Sequence, residues 1–208
     1  MCIRDSHLST PWHHDITFWP VDLKKNNICS IWITLDAVSK ETSGLEFIKG
    51  SHLWEGYWKS YGPGNDALVN KDHKDLPDIN SLRSTHEFFC PEMNPGDALI
   101  FNAHIVHGSS SNLSLDKPRR AFTSRWCDDK TVFEDRAKTK PITAKHNLKN
   151  GDFLSGPLFP QVRPNTLASE LSLRDKGPIK LSKSKFIKDR IFKDLAGFFS
   201  FKNLINLK

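Results

Sequence analysis

The stretch WHHDITFWP (12–20) sets His13, His14 and Asp15 side by side in front of an aromatic, β-prone run. In an extended chain successive side chains alternate between faces, so His13 and Asp15 point one way and His14 the other. One imidazole and one carboxylate then converge, which is either two thirds of a metal site or a polar loop in which Asp15 caps a backbone group. A third ligand is offered downstream. After DALIFNAHIVH (97–107) the chain breaks at Gly108 and turns polar, leaving His107 at a strand end beside a loop, where sites on β scaffolds are built. His13, Asp15 and His107 make a 2-His-1-carboxylate set, which leaves three adjacent positions open on an octahedral Fe(II).

The elements that must position these residues are strands. NICSIWITLDAV (27–38), SGLEFIKGSH (43–52), THEFFC (85–90), NPGDALIFNAHIVHG (94–108) and RRAFTSRW (119–126) are β-branched, aromatic and punctuated by Gly, Pro and Asp turns. A polar insertion between Trp54 and Ser84 reads as a surface loop with a short helical piece. Short strands in series predict a sandwich or barrel.

At 208 residues the chain is long enough for one core and an appendage. It has no apolar run of transmembrane length and no leader with an apolar h-region, which predicts a soluble, cytoplasmic protein. Cys2, Cys29, Cys90 and Cys127 are scattered without a CxxC, as reduced thiols are. The net charge of +6 is carried by the tail: residues 171–208 hold ten Lys/Arg against three Asp/Glu, so the remainder is near neutral. A nucleic-acid groove on the main domain is therefore not expected. In KSKFIKDRIFKDLAGFF (183–199), Ile187, Ile191, Leu195 and Phe198 recur at helical spacing with lysines opposite, predicting a basic amphipathic helix suited to weak contact with a membrane surface or a protein.

TPWHHD, SIWITLDAVSKETSGLEFIKGSH, PGDALIFNAHIVHGSS and RRAFTSRW, in this order over about residues 9–130, resemble the phytanoyl-CoA dioxygenase family of Fe(II)/2-oxoglutarate oxygenases. The resemblance implies a mainly β fold, a cupin-like double-stranded β-helix or jelly roll whose open end holds the metal. It also implies Fe(II) on His13, Asp15 and His107, 2-oxoglutarate as cosubstrate and O2. Arg119 matches the family's position for the cation that receives the cosubstrate's distal carboxylate. Arg120, its neighbour, should face the other way. Ser109 resembles a hydroxyl that helps hold that carboxylate, and Trp32 lies on the strand that in relatives walls the pocket. Asn102 corresponds to a position often polar near the site, suited to orienting a ligand. His104, three residues from His107, should face away.

Relatives carry about a hundred residues before the His-x-Asp, whereas twelve precede His13 here. The chain thus reads as an amino-terminally truncated oxygenase core over 7–165, its jelly roll incomplete at the amino end, followed by a helical basic tail over 166–208. The implied activity is hydroxylation of a small organic substrate with release of succinate and CO2. The alternative is a non-catalytic β-helix domain that binds a metal, a small ligand or a partner. Nothing in the sequence selects the substrate.

Overall fold

The computed structural model describes residues 2–4, 9–24, 27–61, 67–68, 73–114, 116–136, 139, 142, 146–156, 158–162 and 204–206. The amphipathic pattern at 183–199 lies outside the described residues. Among the described residues eleven strands are formed: β1 (Cys2–Arg4), β2 (Thr10–His13), β3 (Ile28–Thr34), β4 (Leu45–Ile48), β5 (Ser60–Tyr61), β6 (Ala67–Leu68), β7 (Phe88–Phe89), β8 (Ala98–Asn102), β9 (His107–Ser109), β10 (Arg119–Cys127) and β11 (Leu204–Asn206). Helical structure among the described residues is limited to short 3₁₀ turns at Asp15–Phe18, Ser51–Leu53 and Ser81–Ser84.

A five-stranded sheet runs β1-β10-β3-β8-β11 and a four-stranded sheet β2-β9-β4-β7; β5 and β6 form a separate hairpin within the 54–84 insertion. The two larger sheets form the jelly roll, with antiparallel pairing throughout except where β11 lies parallel to β8. Strand register decides what faces inward. Thr34 opposes Ala121, Trp32 opposes Thr123 and Ser30 opposes Arg125, while Leu99 and Phe101 of β8 oppose Trp32 and Ser30. Direct cross-strand partners share a face, so these positions, with Arg119 two residues before Ala121, form the inner surface of the large sheet. From the small sheet, Leu45 opposes Ser109 and Phe47 opposes His107. Trp32, Leu45, Phe47, Leu99, Phe101 and Ala121 then meet as one buried cluster between the sheets.

The sequence reading of 94–108 as one strand needs correction. β8 stops at Asn102, and the chain crosses to the other sheet before β9 begins. At the crossing, the Asn102 side-chain oxygen accepts the His104 N–H at 2.8 Å and its carbonyl accepts the Ile105 N–H at 3.0 Å. Ile16 N–H donates to the Ala103 carbonyl, and Ser51 Oγ accepts the Val106 N–H at 2.8 Å. These partners engage backbone groups released from the ladder, which helps the break tolerate its partial burial. His107 consequently opens a strand of the small sheet and does not end one of the large sheet.

Candidate metal centre

β2 and β9 pair antiparallel with His13 opposite His107, and their rings lie 4.4 Å apart, centroid to centroid. The extended run expected to carry Asp15 ends at His13. His14 is still extended (φ −119°, ψ 147°), but Asp15 is the first residue of a 3₁₀ turn. The turn nonetheless brings the carboxylate round: Asp15 Oδ1 lies 3.7 Å from His13 Nε2. One ligand atom from each of His13, Asp15 and His107 falls within 4.8 Å of the others, the arrangement expected of groups that could share one ion.

Backbone carbonyls set both tautomers by the same local device. His13 Nδ1 faces the Pro11 carbonyl at 2.8 Å, and His107 Nδ1 faces the Ile105 carbonyl at 3.0 Å. A carbonyl only accepts, so Nδ1 carries the proton and Nε2 keeps its lone pair for a cation. His107 is buried, and burial, then the neighbouring His13, push its pKa down to about 4, so at neutral pH it is an uncharged ligand. Burial alone would raise the Asp15 pKa, but the adjacent His13 and His107 imidazoles and the Arg125 guanidinium hold it well below the usual carboxylate range. Phe47 stacks on His107 at 5.6 Å, and Phe101 meets its ring edge-on at 5.0 Å, walling it with apolar surface.

Arg119 is buried, with its guanidinium 5.6 Å from the centre of the Trp32 ring. Arg120 points outward and pairs with Asp36, its Nε 3.0 Å from Asp36 Oδ2. Ser109 is buried; its hydroxyl donates to Thr10 Oγ1 at 2.9 Å and lies 3.1 Å from Ser43 Oγ. Trp32 is a member of the inter-sheet core. Asn102 is placed at the strand break, where its side chain is exposed and bonds His104 rather than a metal ligand.

Several residues with a part here carry no local signal. Ser30 Oγ donates to Asp15 Oδ2 at 2.7 Å, and Arg125 Nη2 reaches the same oxygen at 3.0 Å. His14, on the opposite side from the ligands, is buried, and its Nε2 accepts the Trp58 backbone N–H at 3.1 Å. Burial, and after it the His104 imidazole, lower its pKa to about 3. Ser43, a non-glycine residue in the left-handed region (φ 66°), directs its hydroxyl to Ser109.

The sequence model of the family described as phytanoyl-CoA dioxygenase (PhyH) matches residues 5–121. A probable phytanoyl-CoA dioxygenase of Caenorhabditis elegans is 26% identical over 119 residues, which cover 57% of this chain and 36% of that protein. Ectoine dioxygenase of Sphingopyxis alaskensis is 26% identical over 120 residues, covering 53% of this chain and 39% of that one. The chain therefore spans little more than a third of the length of these relatives. Among solved structures, the non-heme alpha ketoglutarate dependent carbocyclase SnoK from nogalamycin biosynthesis superposes with a TM-score of 0.59 at 22% identity, covering 76% of this chain and 58% of that one. The epimerase SnoN in complex with Fe3+, alpha ketoglutarate and nogalamycin RO superposes at 0.54 and 21% identity, covering 74% and 57%. At such identities the structural likeness speaks for the fold.

Proposed function

Because the chain belongs to the phytanoyl-CoA dioxygenase (PhyH) family, we propose that it is the core of an Fe(II)- and 2-oxoglutarate-dependent dioxygenase that hydroxylates a small organic substrate. The observation that carries this reading is the meeting of His13, Asp15 and His107, with both Nε2 atoms and Asp15 Oδ1 left available to one cation. Two neutral imidazoles and one carboxylate suit Fe(II) and do not saturate it. The donor set therefore fits the metal.

An iron bound there would supply activation of O2, the oxidant, with 2-oxoglutarate as the co-reductant, so that one oxygen atom would enter a substrate C–H bond as hydroxyl, the other would enter succinate, and CO2 would leave. The chain's own residues do the rest. His13 Nε2, Asp15 Oδ1 and His107 Nε2 would hold the ion. Arg119, buried and permanently charged, offers the cation for the cosubstrate's distal carboxylate, with Trp32 against it. Ser109 would add a hydrogen bond by turning its hydroxyl from Thr10. Phe47 and Phe101 keep water from His107, which strengthens every charge interaction beside it. We assign this core to residues 7–165 and a basic tail to 166–208, whose residues 204–206 return to the large sheet as β11, in a cytoplasmic protein whose partner is a small molecule; among the described residues no helix is long and apolar enough to cross a membrane.

The test is an anaerobic titration with Fe(II) and then 2-oxoglutarate, followed by admission of O2 and measurement of succinate. One Fe(II) per chain, 2-oxoglutarate binding that requires the metal, and succinate formation stimulated by the right substrate are expected. Iron bound without any metal-dependent 2-oxoglutarate binding would instead favour a metal-binding domain without oxygenase chemistry. Iron binding that survives His107→Ala would remove the assigned centre.

A further inference from the structure

Asp15 is treated differently at its two oxygens. Oδ1 faces His13 Nε2, whereas Oδ2 accepts one hydrogen bond from Ser30 Oγ at 2.7 Å and another from Arg125 Nη2 at 3.0 Å. The two donors arrive together because Ser30 and Arg125 are direct partners across β3 and β10 and so project from one face of the large sheet. Arg125 is further held by Trp19, whose ring lies 5.1 Å from its guanidinium and which directly follows the 3₁₀ turn begun by Asp15. Its Nε is buried without a hydrogen-bond partner among the described residues. A buried donor left unpaired costs stability, a cost that the contact to Asp15 offsets in part.

We propose that Arg125 and Ser30 are positioning residues that restrict Asp15 to binding metal through Oδ1 alone. An oxygen that accepts two hydrogen bonds, one of them from a guanidinium, has little lone-pair density left for a cation. Two imidazoles and one oxygen fill three positions of an octahedron; a chelating carboxylate would close a fourth, leaving two where a bidentate cosubstrate and O2 together require three. The register of β3 on β10 thereby fixes how many positions the centre keeps open. This inference rests on the metal-centre reading above.

The test uses the full chain loaded with Co(II), read by equilibrium affinity and by the infrared stretches of 13C-labelled aspartate in metal-bound minus metal-free difference spectra. In the wild type the separation between antisymmetric and symmetric carboxylate stretches should widen on loading, as for a single-oxygen ligand. In Arg125→Gln combined with Ser30→Ala the separation should narrow toward the chelate pattern, and affinity should fall about 10-fold or more, as for other residues that orient metal ligands. Arg125→Lys, which keeps a donor and the charge, should recover part of the wild-type pattern. A chelate pattern in the wild type, or a double variant with unchanged stretches and affinity, would overturn the proposal. If the double variant does not fold, Ser30→Ala alone, which deletes one donor hydroxyl, reads the same shift in smaller measure, and its absence counts equally against the idea. A wild type that binds no Co(II) would strike the metal-centre reading itself, which separates the two failures.

Discussion

Trp12 occupies the space that a side chain on residue 108 would need: a Cβ built on Gly108 would lie 3.1 Å from Trp12 Cδ2 and 3.0 Å from the Thr10 carbonyl oxygen. The missing side chain is what lets β2 lie close against β9, and with it His13 against His107. Gly108→Val should therefore destabilise the protein by about 1–3 kcal/mol, the usual cost of overpacking. It should also weaken Co(II) binding as the two imidazoles part. Urea denaturation and metal titration check both, and unchanged values would mean that Trp12 swings aside without cost.

Metal should stabilise the fold by mass action. At a free concentration 100 times Kd the gain is about 2.7 kcal/mol. The rise in melting temperature on adding Co(II) should be reversed by a chelator and be absent in Asp15→Ala and His107→Ala. An equal rise in those variants would place the ion elsewhere.

The adjacent arginines should separate cleanly. Arg119→Ala should abolish 2-oxoglutarate binding to the metal-loaded protein while metal binding persists, because a buried, fixed charge is lost. Arg120→Ala removes an exposed pair with Asp36 and should cost no more than about 1 kcal/mol, with 2-oxoglutarate binding intact. Calorimetric titration of the two variants would reveal reversed effects if the inward-facing residue were assigned wrongly.

His14 predicts how the metal-free protein responds to acid. Its folded pKa, about 3, lies below the unfolded value of 6.5, so below pH 6.5 the unfolded state binds the proton that the folded state refuses. The stability is present in full above pH 6.5 and drains away as the pH falls toward 3. At pH 5 the loss is roughly 2 kcal/mol. Urea midpoints between pH 7 and pH 5 should show it; a flat profile would mean that His14 is solvated in the folded state.

Legibility followed locality. His13-x-Asp15 and His107-Gly108-Ser109 could be read because each is a short spelling with its own chemistry, and the sheet-rich fold followed from apolar runs between Gly/Pro turns. The break at 103–105 was hidden because the run ALIFNAHIV contains neither Gly nor Pro, and its turn is made by the Asn102 side chain and by acceptors from distant segments. Ser30 and Arg125 left no trace because their shared target depends on cross-strand register, which no local pattern encodes. His14 lies away from the ligands, but its burial goes with a contact to the Trp58 backbone across 44 residues, which no local pattern encodes.

The ligands also stand far apart along the chain, His13 and Asp15 near one end of the family-matching segment and His107 about 90 residues on. An ion gripping all three would act as a removable staple, closing a long loop that the unfolded chain would otherwise leave free. A permanent cross-link around such a loop removes chain entropy equivalent to roughly 4–5 kcal/mol. Metal scarcity would then loosen the molecule, and a chain without metal would be the form that proteases reach first.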